Sequence, residues 1–246
     1  MLLKKCFFVV PLLSFMAISC EDNGGEDSKD DLKLLLTFDI TIPEPSGLAI
    51  NTAGTVLYTV SDHTAQVYSL TTEGSVMQTF SYEGNDLEGV STFKRNKLLL
   101  AEERTKELVE FDMTTGSFIK HKINYKNNDK NSGLEGVAFA ENINAIFILN
   151  EKNPGKLLRL RSDYSVSVEY DLTFAYDYSG IFYESSSKNL WIVSDQSRTI
   201  NKCSLKGDMI ESYSIGVTQA EGIAVTNDKI YVISDAEEKL YIYKKP

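Results

Sequence analysis

Histidine occurs only twice in this 246-residue chain, tryptophan once and cysteine three times. With His63 and His121 alone, no Ser/His/Asp nucleophilic set is recognisable, and zinc or copper sites built on imidazole and thiolate are disfavoured. Cys6 and Cys20 belong to an N-terminal leader pattern. Cys203 is then left alone, so no intrachain disulfide is expected and Cys203 reads as a small core residue. Basic residues are also in deficit, 25 Lys and Arg against 35 Asp and Glu, for a net charge of −10. That balance argues against nucleic acid as a partner and permits cation binding. After the leader, no apolar run is long enough to span a bilayer, and helical periodicity nowhere exceeds about two turns.

The leader itself has a basic head, Lys4 and Lys5, and an apolar run from Cys6 to Ile18 broken by Pro11 and Ser14. It is too short for a spanning helix and has the layout of a cleaved signal over residues 1–19. Ala17-Ile18-Ser19-Cys20 resembles a bacterial lipobox, which implies lipid on Cys20. Residues 20–32 are polar and acidic and read as a tether. The expected location is the cell envelope: an outer-membrane lipoprotein, periplasmic or surface-exposed, with the membrane as a partner through its anchor.

From residue 33 onward the sequence repeats. Ser46-Gly47-Leu48-Ala49, Glu88-Gly89-Val90-Ser91, Glu135-Gly136-Val137-Ala138, Ser179-Gly180-Ile181-Phe182 and Glu221-Gly222-Ile223-Ala224 set glycines 42, 47, 44 and 42 residues apart. This period suits a four-stranded propeller blade. A second apolar run in each repeat ends in an acid: Asp62, Glu103, Glu151, Asp195 and Asp235. Third strands follow at 66–70, 107–111, 156–160, 199–203 and 239–243, and fourth strands at 76–82, 118–125, 166–174 and 209–215. The fifth repeat lacks a fourth strand, and Leu34 to Thr41 can supply it. The expected fold is all-β: a five-bladed β-propeller over residues 33–246, four antiparallel strands per blade. The N-terminal strand pairs in the last blade and closes the ring, leaving no open edge. A monomer is expected.

The ring brings Ser46, Glu88, Glu135, Ser179 and Glu221 to one axis, each at the start of an inner strand. Three converging carboxylates repel unless protonated or neutralised by a cation. Calcium, which takes six to eight oxygens at about 2.3–2.6 Å, fits such a set. The alternative is that these acids cap strand ends. Asp62, Glu103, Glu151, Asp195 and Asp235 form a second ring at the same mouth, either holding turn amides or contacting a ligand. His63, Arg104, Lys106, Lys152 and Arg198 lie in the same turns and can meet an anionic ligand. Tyr82, Tyr125, Tyr176, Asp177 and Tyr178 are assigned to that face, and Trp191 and His121 to structural positions.

The segments Asp86-Leu87-Glu88-Gly89-Val90, Gly133-Leu134-Glu135-Gly136-Val137 and Ile233-Ser234-Asp235 resemble the SdiA-regulated family of bacterial propellers over about residues 33–246. That resemblance implies the fold more than an activity. The axial order Ser, Glu, Glu, Ser, Glu resembles calcium-activated nucleotidases (apyrases), five-bladed propellers with an axial calcium, and implies calcium as the cofactor. The chain is shorter than those enzymes, and their nucleotide contacts find no residue-by-residue match. The expected function is a calcium-binding exported propeller that takes a small-molecule or protein ligand at its top face. The alternative is a calcium-dependent phosphohydrolase, with Arg104, Lys152 or Arg198 on phosphate and Asp62 or Asp195 as base. A glycosidase using paired carboxylates is a third possibility.

Overall fold

A computed structural model describes residues 31–125 and 133–246. The expected signal peptide, Cys20 and nearly all of the tether lie outside the described residues. β1 (Leu34–Asp39) precedes the first blade, which is β2 (Pro45–Ile50), β3 (Val56–Ser61), β4 (Gln66–Thr71) and β5 (Val76–Glu83). The second is β6 (Leu87–Phe93), β7 (Lys97–Glu102), β8 (Glu107–Asp112) and β9 (Phe118–Lys122). The third is β10 (Leu134–Ala140), β11 (Ala145–Asn150), β12 (Lys156–Leu160) and β13 (Val166–Asp171). The fourth is β14 (Gly180–Glu184), β15 (Asn189–Ser194), β16 (Thr199–Cys203) and β17 (Met209–Ser214). The fifth is β18 (Ala220–Val225), β19 (Lys229–Ser234) and β20 (Lys239–Lys244), completed by β1.

β1 pairs antiparallel with β20, from Leu36 opposite Ile242 to Asp39 opposite Lys239, so the ring closes between the two ends of the domain as the repeat predicts. Among the described residues the one helical segment is a 3₁₀ turn, Glu141–Ile143, and no helix is long and apolar enough to cross a membrane.

The blades are held by five apolar clusters, one at each blade-to-blade contact. Leu98 and Leu100 of β7 pack with Val60, Val67 and Phe80 of the first blade. Their neighbours Leu99 and Ala101 point the other way, onto Ile146, Ile148 and Leu158 of the third. A middle strand covered on both faces explains why its sequence is an unbroken apolar run rather than an alternation. Trp191 and Cys203 are buried core residues, as expected.

Several strand limits differ from the sequence reading. β1 ends at Asp39 rather than Thr41, because Ile40 and Ile42 turn into the cluster between the fifth and first blades. β9 and β13 stop at Lys122 and Asp171, after which Ile123 and Leu172 bury inward. Each second strand ends one residue before the acid assigned to it.

Candidate metal centre

The five inner strands meet backbone to backbone. A Cβ on Gly89 would lie 2.4 Å from the Glu135 carbonyl oxygen, and one on Gly222 would lie 2.5 Å from the Gly47 carbonyl carbon. Any side chain there would force the strands apart, so glycine sets the width of the channel. In four blades the pairing of the first two strands slips beside this glycine, between Ser46 and Leu48, Leu87 and Gly89, Leu134 and Val137, and Ala220 and Gly222. A bulge adds a residue on one strand and re-aims the side chain next to it. The axial residues sit at these bulges, except Ser179, which immediately precedes β14.

Ser46, Glu135 and Ser179 are buried, while Glu88 and Glu221 keep a partial opening to solvent at the mouth. Burial, opposed by a hydrogen bond from Ser46, raises the Glu88 carboxyl well above the usual range, and Asp62, Glu221 and Glu103 push it further. Burial does the same to Glu135, with Glu88, Glu103, Glu221 and Glu151 adding to it. Glu221 is pushed up to about 8 by burial, then by Asp195, Asp235 and Asp177. Glu135, at 8 % exposure, has no hydrogen-bond partner for its carboxylate among the described residues. The Ser179 hydroxyl donates to the Ala220 carbonyl at 2.7 Å, which leaves oxygen lone pairs for a cation.

Structural support of the turns falls to the residue before each second-ring acid. Ser61, Ser194 and Ser234 accept the amides of Thr64, Ser197 and Glu237. Glu102 accepts from Tyr82, Asn85 N–H, Thr105 and Lys120, and Asn150 donates to the carbonyls of Lys152 and Pro154. With these turns already stapled, most acids one position later are not needed to hold them. Asp195 differs, since its Oδ1 accepts the Gln219 amide at 2.7 Å.

Burial first, then the negative charge of Asp86, raises both Asp62 and Glu103, Glu103 to about 7; a carboxyl–carboxyl hydrogen bond to Asp86 needs a proton on one partner. Asp62, Asp86 and Glu88 place carboxylate oxygens within 4.8 Å of one another, a spacing that can hold an ion. Glu135 and Glu221 stand outside this tight group. Glu88 therefore belongs both to the axial set and to an off-axis triad. Asp86 belongs to the Asp86-Leu87-Glu88-Gly89-Val90 motif but not to the site residues expected from sequence. Its signal lies two residues upstream of the axial position, where the repeats read Glu44, Asp86, Gly133, Asp177 and Gln219.

The basic groups are partly committed. Arg104 Nε lies 3.0 Å from Asp86 and His63 3.7 Å from Glu44, and Lys152 pairs with Glu151. Arg198 has no ion pair among the described residues. Burial is the first cause raising Asp235 and Asp177. Tyr82 and Tyr178, assigned to this face by sequence, are buried instead, because their rings fill the core beside the turns; Tyr176 is exposed. The mouth is thus an acidic funnel whose carboxylates outnumber its cations, suited chemically to holding a hard cation.

Among solved structures, the chain is similar to a gluconolactonase, XC5397 from Xanthomonas campestris, with a TM-score of 0.59, 10% identity, and 89% of this chain and 96% of that one covered. It is similar to regucalcin, a calcium-binding protein from Agrobacterium tumefaciens, with a TM-score of 0.56 at 10% identity, covering 88% and 96%. It is also similar to virginiamycin B lyase from Staphylococcus aureus, with a TM-score of 0.53 at 14% identity, covering 81% and 80%. At these identities the likeness is one of fold. The SdiA-regulated family matches residues 41–235, nearly the whole ring and all five axial positions, and the chain belongs to that family.

Proposed function

We propose that the protein is a calcium-binding β-propeller of the cell envelope, tethered by lipid on Cys20 to the outer membrane, that presents a cation at its top face to a small-molecule or protein ligand. The observation that carries the cation is Glu135, a buried carboxylate without a hydrogen-bond partner among the described residues, surrounded by Glu88, Glu103, Glu221 and Glu151. An unpaired buried charge costs several kcal/mol, roughly, and proteins avoid it by protonation or by a counter-ion. A dication held by Glu88, Glu135 and Glu221, with Ser46 and Ser179, offsets two of the three negative charges and leaves the site with a net charge of about −1. Oxygen-only donors favour calcium or magnesium over zinc.

The phosphohydrolase alternative asks Arg104, Lys152 or Arg198 to hold phosphate. Arg104 and Lys152 already face Asp86 and Glu151, and the surrounding acids repel an anion. Ligand binding therefore has better support than phosphate chemistry. Thermal melting tests the cation: chelation should lower the Tm and calcium should restore it more effectively than magnesium. At a hundredfold excess over Kd, such binding adds about 2.7 kcal/mol to stability. Melting indifferent to both chelator and calcium would remove the reading.

A further inference from the structure

Below the axial residues the channel changes character. One position past the repeat glycines, Leu48, Val90, Val137 and Ile181 are buried, and they roof a cavity of about 520 Å³ at the opposite ends of the inner strands. This space has the size of a small-molecule site. Phe139 and Phe182 stand half-buried in its wall. Two of its polar groups are spent within the protein: Asn51 Oδ1 accepts the amides of Thr55 and Val56, and Glu184 is bound by Ser187, Trp191 and Lys245.

A side bay of about 300 Å³ shares Phe139, Thr92 and Glu141 with this cavity and adds Lys94, Arg95 and Lys97. Lys97 is committed to Glu110 at 3.0 Å. Lys94 and Arg95 are exposed and have no ion pair among the described residues. The Lys94 ammonium sits 4.9 Å from the Phe93 ring centroid and 5.9 Å from that of Phe139. Two cations without an ion pair, set against Glu141, leave the bay net positive in a chain whose net charge is −10. Positive charge next to a chamber that is half apolar and partly aromatic, with Leu48, Val90, Val137 and Ile181 at its inner end, favours one chemistry. We propose that this face binds a small amphipathic organic anion, its apolar body in the central cavity and its acid group against Lys94 and Arg95.

The proposal is independent of the proposed cation, whose candidate ligands lie at the other mouth. It can be tested with 8-anilinonaphthalene-1-sulfonate, an aromatic monoanion, and its uncharged counterpart N-phenyl-1-naphthylamine, titrated by fluorescence into the mature chain in calcium buffer. Saturable binding of one anion per chain is expected. The double variant Lys94→Glu/Arg95→Glu should weaken it about tenfold, the scale of two exposed charge contacts. Ala53→Trp, on an exposed turn at the cavity wall, should block it without touching the core. The neutral probe should bind more weakly than the anion. Non-saturable binding, equal affinity for the two probes, or binding unchanged in both variants would overturn the proposal.

Discussion

The axial position combines two opposed demands, a tight channel and three carboxylates within it, and this predicts opposite signs for one substitution. Glu135→Gln should stabilise the chelated protein, because it removes a buried charge while keeping the shape. It should also weaken the stabilisation by calcium, because it removes a ligand charge. Melting curves with and without calcium read both effects. Acidity follows the same logic. Glu221 and Glu103 are raised to about 8 and about 7, with burial the first cause, whereas an unfolded-chain glutamate ionises near about 4.3. Between these values the folded protein binds more protons than the unfolded chain, so stability of the chelated protein should fall as pH rises from about 5 to about 8. A chelated Tm that rises across that range would count against buried acids crowded at this mouth. The inner-strand starts that carry the axial five were legible in the sequence because the glycine repeat aligns them. Asp86 was not, since its part comes from a left-handed backbone (φ 60°) and a pairing with Arg104 that periodicity does not encode.

At the scale of elements, the repeat period and the orphan strand at Leu34 were enough to predict closure, because a propeller needs a partner for β20. The bulges beside the repeat glycines were invisible, as they arise from packing five strand ends around one axis. Strand limits slipped by one residue at the second ring because serine, glutamate or asparagine there holds the turn from inside. Backbone contact around the axis makes glycine hard to replace. Gly89→Ala places a methyl 2.4 Å from the Glu135 carbonyl oxygen and should cost roughly 1–3 kcal/mol in urea unfolding. Gly216→Ala, which meets nothing within 4 Å, should be neutral or slightly stabilising. Equal effects at the two positions would contradict the close approach.

For the whole molecule, charge divides the channel into two ends: an acidic mouth at the strand starts and a half-apolar chamber with a basic bay at the strand ends. The proposed lipid anchor predicts that Cys20→Ala moves the protein from the membrane fraction to the soluble one; unchanged fractionation would reject the anchor. The measurement that bears most directly on the account is a crystal structure of the calcium-saturated chain. The account predicts one ion on the axis, with oxygens of Glu88, Glu135 and Glu221 at about 2.3–2.6 Å and Ser46 and Ser179 in its surround. An empty axis at saturating calcium, or an ion held by Asp62, Asp86 and Glu88 with Glu135 and Glu221 outside its shell, would contradict it.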